Sequence, residues 1–501
     1  MEFFVIAILL LALWAIRWAV QPTRKHEFQV IKPHRGSANP VSAAILQGYH
    51  QICRTTGRPF LVRYWQKYYM ILPAKYLPDI RRAGRDHLAF VDSISDILFL
   101  YNWVGDLFKS SRMVFAVIKG VNPQLPKLSG AMFEESLYAF EKEIGLGDEE
   151  SKSFNALTVM TSVSLRTMTR IIAGKELSRN EAFLNATTAY FDGNFLTGFL
   201  MLKMPFRGFL RDLLAWPLWK YHQHFRQYRL IEMIKPFIAK RMEDHKLGTY
   251  NNTEFDAVQC TLNILHEFPL DGHHRNTPLH TLSHETLQLI WASGQSPAIS
   301  VTTMLFKLLE EQSYIAPLRE EAQAAINKHG WNDPIFNELP KLDSFIRETH
   351  RLHPAFSLNA TRVVRDAPFT FSDGLQIPPG TRIAFPAEAC QQDPDFLANP
   401  NEFDGFRFVK LAATDARQED GVSRWAASHT SYSNLTFGYG NHACPGRFIA
   451  VRLLKILLAR LLLDYDLSWE REGGEPPRLT FEGMSFPNVT QEITLRRRMK
   501  A

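Results

Sequence analysis

Cys444 stands in the stretch Phe437-Gly438-Tyr439-Gly440-Asn441-His442-Ala443-Cys444-Pro445-Gly446-Arg447. Glycines let the backbone turn tightly and come close to a flat ligand. Pro445 suits the start of a helix. That places the thiol at a helix amino terminus, where the dipole and free N–H groups favour a thiolate. His442, two residues earlier, can donate to an anion. A single thiolate in such a cradle is what a haem iron takes as its axial ligand. Two other readings compete. Gly438-x-Gly440-x-x-Ala443 has the outline of a dinucleotide fingerprint, but that motif directly follows a strand, and a long loop is expected here. A buried structural cysteine would also explain Cys444 taken alone.

The rest of the constellation decides between them. The stretch resembles the haem-binding loop of the cytochromes P450, Phe-x-x-Gly-x-(Arg/His)-x-Cys-x-Gly, and Phe437, Gly440, His442, Cys444 and Gly446 fill its five specified positions. Upstream, Glu348-Thr349-His350-Arg351 matches the family's Glu-x-x-Arg, a spacing that puts both charges on one helix face. Arg407, in Phe406-Arg407-Phe408, lies where the family places a third member. A buried Glu348 flanked by Arg351 and Arg407 would be compensated on both sides, and would pin its helix to the loop carrying the cysteine. The phrasing "FTFSDG", "IPPGT" and "LTFGYGNHACPGRF" is similar to filamentous-fungal microsomal members of specialised metabolism.

The resemblance implies a mainly α fold with small β-sheets, the P450 prism, preceded by an N-terminal membrane helix. The chain pattern agrees. "GRPFLVRYWQKYYMILP" (57–73) mixes aromatic and β-branched residues and predicts a hairpin. Residues 131–245 predict helices. Within them 195–225 is apolar and aromatic with interspersed cations, readable as two core helices or as a connection touching a membrane surface. A long helix is expected over 282–311, kinked at Pro297, and another over 339–353, with Pro340 in its first turn and Pro354 after its end. Strands are expected at 361–366 and 369–371, a meander at 391–408, and a last helix from near Cys444 to about Leu463.

Two departures from the family pattern concern chemistry. On the long helix an acid–alcohol pair commonly relays protons; here Gln295 and Ser296 stand in its place before Pro297. A neutral amide cannot act as an acid or base, though it can order a water. The plainer reading is that both only bond the kink. The helix that commonly grips a haem propionate through Trp-x-x-x-Arg has no such pair in 110–120, which leaves Arg112 or Lys119 as substitutes and His442 as the firmer candidate.

Composition sets the frame. In 501 residues, 46% are apolar and 22% charged, which excludes a disordered or fibrous chain. A net charge of +6 does not argue for nucleic acid. Four scattered cysteines exclude a disulfide scaffold, and no Cys-x-x-Cys exists for a zinc ribbon. Residues 1–20 form the only long apolar run. Phe3–Ile16 is unbroken and Trp18–Val20 extend it past Arg17; these 14 to 18 residues would span roughly 21 to 27 Å against about 30 Å of hydrocarbon. Arg24 and Lys25 follow it, so the positive-inside rule leaves the bulk of the chain cytosolic. A cleaved signal peptide fits less well, since no basic n-region precedes the run. The expected organisation is an anchor (1–20), a linker (21–45) and a haem-thiolate catalytic domain (46–501), single-pass in the endoplasmic reticulum membrane. The sequons at Asn185, Asn359 and Asn434 should then carry no sugar.

What the resemblance implies for function is a monooxygenase holding haem b through Cys444. Electrons would come from NADPH through P450 reductase, docking on cations such as Arg447, Arg452 and Lys455. The substrate would be a neutral lipophilic molecule of terpenoid or polyketide type, contacted by 293–300, Ala355–Asn359 and Met484–Phe486. Two alternatives are a haem enzyme that rearranges or dehydrates substrates without dioxygen or reductase, and a non-catalytic haem- or ligand-binding protein.

Overall fold

The computed structural model describes residues 27–33, 36–65, 67–99, 110–148, 150–204, 209–250, 255–270, 277–415, 417–419, 422–470 and 477–499. The expected anchor at 1–20 lies outside them. Among the described residues no helix is long and apolar enough to cross a membrane.

The helix Pro278–Glu310 organises the molecule. Thr277 caps it, accepting from the His280 N–H at 3.2 Å, and Pro278 occupies the first helical position, where a missing N–H costs nothing. It runs 33 residues, roughly 50 Å. Pro297 lies inside it without ending it, because its neighbours hold it in place: it packs against Ala156–Ala173, Tyr228–Leu247 and Arg447–Asp464. Apolar residues therefore surround it on most sides, and between its ends only Ala292 and Ser296 are exposed. These two are one turn apart on one face.

That face marks a seam between two hydrophobic cores. One is helical and includes Leu165, Ile290, Val301, Leu305 and Leu457. The other is β-rich and includes Phe60, Tyr69, Ile383, Leu435 and Tyr439. Trp291 packs against both.

The β-rich core rests on a six-stranded sheet in the order Val30–Ile31, Phe60–Tyr64, Lys67–Ile71, Arg382–Phe385, Asn359–Val364, Leu88–Ala89. The hairpin expected at 57–73 is its Phe60–Tyr64 and Lys67–Ile71 pair, antiparallel with Phe60 opposite Ile71. Among the described residues of 131–245 helices predominate, and Ser151–Asn155 is the one strand. This short segment forms an edge strand on Glu492–Arg497, pairing Asn155 with Glu492; the pairing comes from a partner more than 300 residues away, which local pattern cannot reveal. Of 195–225, the described residues other than Met204 lie on Glu181–Lys203, Phe209–Tyr221 and the helical turn His222–Gln227. Met201, Ala215 and Trp219 are core, while Leu196, Leu213, Trp216 and Phe225 are exposed.

Burial also sets an acid limit. It holds His284 and His350 neutral, pushed down to about 4, and His353 to about 3. Their unfolded value is about 6.5. As pH falls below that, the unfolded chain takes up protons that the folded chain refuses. Each histidine then withdraws up to about 1.4 kcal/mol of stability per pH unit until its folded value is reached. The thermal inactivation temperature should fall steadily from pH 7 to pH 5; a flat profile would contradict the burial of these three rings.

Candidate active site

The cysteine loop is built by backbone that only glycine tolerates. Gly438 and Gly440 have φ of +74° and +68°. A Cβ on Gly440 would also stand 2.9 Å from the Arg81 Cα. The turn Gly440–His442 follows, and Gly446 caps the helix Arg447–Asp464. The Cys444 N–H donates to the Phe437 carbonyl at 2.8 Å, Arg447 Nη1 donates to the Cys444 carbonyl at 3.0 Å, and Asn122 Nδ2 to that of Pro445 at 3.0 Å. Of the four cysteines, Cys53, Cys260 and Cys390 are buried and Cys444 is exposed. Its surroundings push the thiol up by desolvation, while the Gly446 and Arg447 N–H groups and the Arg447 charge pull it down. The loop straddles the seam: Leu435 and Tyr439 belong to the β-rich core, and Phe437 and Phe448 pack on the helical one. Gly440→Ala, strained in φ and clashing with Arg81, should cost about 1–3 kcal/mol and show as a lowered haem content per folded chain.

Basic groups gather beside the loop. His442 lies 6.1 Å, ring to ring, from Phe90, and its Nε2 is buried without a hydrogen-bond partner. Burial, with Arg362 and Arg85 nearby, pushes its imidazole down to about 4. Arg362 is 1% exposed. It donates to the carbonyls of Thr361 at 2.7 Å and Tyr439 at 2.8 Å, and its Nε is unpartnered. It makes no ion pair among the described residues, and burial followed by the Arg85 charge pushes it down to about 9. Arg85 donates to the Asn441 carbonyl at 2.5 Å. Two guanidinium groups and an imidazole around buried, unmet donors suit a carboxylate.

The substitutes expected for the missing Trp-x-x-x-Arg are engaged elsewhere. Arg112 forms a two-pronged ion pair with Glu285, at 2.9 and 2.8 Å, and donates to the carbonyls of Phe268 and Pro269. Lys119 pairs with Glu267 at the surface. Arg362 and Arg85 were not singled out from the sequence. The available signal was an arginine inside the apolar strand "NATRVV", since a buried arginine needs a partner.

Glu348 is fully buried at the end of Pro340–Leu352. It accepts from Arg351 Nε and Nη2, both at 2.8 Å, from Arg407 Nε at 3.0 Å and from the Asp404 N–H at 3.0 Å. Arg351 and Arg407 spend their other donors on meander carbonyls, including those of Gln391, Ala398 and Glu402. These charges therefore tie the helix to the meander, not directly to the cysteine loop. Other residues make that second link. Gln391 donates to the carbonyls of His350 and Arg351 and accepts from the Leu435 N–H at 3.0 Å. Asn359 donates to the carbonyls of Leu435 at 2.7 Å and Thr436 at 3.1 Å. Asn359 and Asn434, both in sequons, have their amides used inside the fold.

On the central helix, Ser296 is exposed and its hydroxyl lies 3.4 Å from the Ala292 carbonyl, a weak back-bond. Gln295 is half-buried. One turn on, Ser300 Oγ lies 3.1 Å from His350 Nε2, and His350 meets Phe437 edge-on at 6.0 Å. Of the three docking cations, two are internal. Arg452 pairs with Asp333, and Lys455, 7% exposed, pairs with Asp343 at 2.8 Å. The last helix is buried nearly all round, so its cations are neutralised from neighbouring elements. Of the substrate-contact segments, Phe356 bridges to Met484, and Phe195 packs on Phe481 and Phe486 at 5.9 and 6.0 Å.

The family model for cytochrome P450 matches residues 127–495. The chain is 36% identical over 462 residues to cytochrome P450 monooxygenase sirB of Leptosphaeria maculans, covering 91% of this chain and 86% of that one. It is 33% identical to cytochrome P450 monooxygenase paxP of Penicillium paxilli, over 86% and 81% of the two chains. It is 29% identical to ent-kaurene oxidase of Gibberella intermedia, over 86% and 79%. In fold it is similar to the retinoic-acid-bound cyanobacterial CYP120A1, with a TM-score of 0.63 at 18% identity over 89% and 93% of the chains.

Proposed function

From the premise that this chain belongs to the cytochrome P450 family and is a monooxygenase of the kind found in fungal specialised metabolism, we propose that it oxidises a lipophilic terpenoid-like intermediate, with electrons from NADPH delivered by P450 reductase. The observation that carries the reading is Cys444: the one exposed cysteine, on a glycine turn at the seam of two cores.

The residues present fit a haem. Cys444 would hold the iron through its thiolate, and the cation's charge would offset the desolvation that otherwise raises this thiol. The unmet Arg362 Nε, with His442 and Arg85 beside it, would supply partners for the propionates. Phe437, Gly440 and Gly446 shape the loop against the flat ring. When bound, a thiolate-ligated haem supplies activation of dioxygen and oxygen insertion into a C–H bond.

The protein's own share is orientation, water exclusion and proton supply. Ala292 is small and exposed, and would leave room beside a bound haem. Ser296 Oγ, held by a 3.4 Å back-bond, would be placed to turn and donate a hydrogen bond there. Gln295 can order a water beside it but cannot itself exchange a proton. Attachment to the endoplasmic reticulum membrane rests on the apolar run at 1–20 and on the exposed Leu196, Leu213, Trp216 and Phe225.

The test is expression with a fungal reductase in a host fed candidate terpenoids. NADPH-dependent dioxygen uptake and a product heavier by one oxygen are expected. Product formed without NADPH or dioxygen would select the rearrangement chemistry that the absence of an acid beside Ser296 leaves open.

A further inference from the structure

A buried polar cluster lies at the far end of the central helix from Pro297. Gln288 precedes Ala292 by one turn and Ser296 by two, so the three follow one stripe. Gln288 is 2% exposed, yet neither end of its amide finds a hydrogen-bond partner. It stands close enough to the Tyr190 hydroxyl, which is 1% exposed, to pull that phenol down against its burial, but the contact falls short of a well-formed hydrogen bond. Asn194 also approaches that hydroxyl, and its Oδ1 is likewise unmet. Gln227 closes the group: its Nε2 donates to Tyr190 Oη at 3.3 Å and lies 3.0 Å from His284 Nε2, one turn before Gln288.

The cluster is uncharged. Burial keeps the Tyr190 phenol protonated, pushed up to about 12, and His284 neutral. Buried amides without partners are rare in native proteins, because each forfeits hydrogen bonds to water and gains none. An apolar side chain at this buried position would carry no such cost. A polar residue held there unmet is one that a ligand can complete.

We propose that Gln288, with Tyr190 and Asn194, recognises a neutral hydrogen-bonding group — a hydroxyl, carbonyl or amide — at the end of the substrate remote from the carbon oxidised. This rests on the haem reading above. Eight residues separate Gln288 from Ser296, about 12 Å along the axis at 1.5 Å each. The substrate is therefore elongated, of about that length, and already functionalised at its far end. The reaction that supplies it must be one that installs or retains such a group, and a bare hydrocarbon skeleton is the poorer ligand.

The probes are androstane and androstanol, rigid tetracycles of suitable length that differ by one hydroxyl. Binding to the full-length, haem-loaded enzyme is read from the shift of the Soret band. Androstanol should bind about tenfold more tightly, the contribution of one good hydrogen bond. Gln288→Leu should bring the ratio to about one while raising the thermal inactivation temperature, because the unmet amide is gone. Should that variant fail to fold, Tyr190→Phe removes a single hydroxyl and should lower the ratio severalfold. A ratio near one in the unsubstituted enzyme, including the case where neither compound shifts the band, overturns the proposal. So does an unchanged ratio with a lowered inactivation temperature in Gln288→Leu, which marks a cluster filled by structural water. The carbon monoxide spectrum of the same preparation separates the two levels: without a thiolate band it is the haem reading that fails, and with one it is the assignment of the polar end.

Discussion

Replacing Cys444 by alanine abolishes the long-wavelength Soret band of the reduced carbon monoxide complex, and with it all NADPH-dependent turnover. The expected effect is complete loss, since no second cysteine is placed to substitute: Cys53, Cys260 and Cys390 are buried in other parts of the fold. The variant should still fold. The Cys444 side chain packs into neither core, and the bond from its N–H to the Phe437 carbonyl is made by backbone. Circular dichroism like that of the unsubstituted chain, alongside a missing band, is the combined result expected. A retained band would refute the assignment of the axial ligand.

Glu348→Ala should be nearly as severe by a different route. Glu348 accepts from Arg351, Arg407 and the Asp404 backbone, and both Glu348 and Arg351 are almost wholly buried. Removing the carboxylate leaves two guanidinium groups short of a counter-charge, a loss of about 3–5 kcal/mol for a broken buried pair. That is a large fraction of the stability of an ordinary domain. A chain of this size unfolds irreversibly, so the readout is a half-life at fixed temperature together with the yield of haem-loaded protein. Glu348→Gln, which keeps the shape and two acceptor positions, should lose less. Equal yields for Ala and the unsubstituted chain would show that the meander carbonyls alone satisfy the arginines.

How much of this could be read beforehand depends on how local each feature is. The hairpin at Phe60–Ile71 is legible because its residues are aromatic and β-branched over two short runs. The long helix is legible from its length and apolar content, and the glycine turn around Cys444 from residue types within eleven positions. The basic group is not: Arg85, Arg362 and His442 come from three separate segments of the chain, and only the closed fold shows that they share a place, with no acid beside them among the described residues. Arg452 and Lys455 misled in the opposite sense. At helical spacing they read as a solvated docking face, but Asp333 and Asp343 meet them from other segments. Arg112 was a fair substitute by position, and Glu285, on the central helix, engages it. The link from the Glu348 helix to the segment leading into the cysteine loop runs through Gln391, and Asn359 ties that segment to the sheet; neither amide has a motif to announce it.

The seam crossed by Trp291 bears on the life of the protein in the cell. Two cores that meet along a seam are held together more weakly than one, and a porphyrin bound at Cys444 would add contacts to both. Anything that binds only the folded form stabilises it by mass action. Steady-state levels of this enzyme should therefore track the supply of porphyrin. Newly made chains that wait too long for it are the ones that proteases will find open.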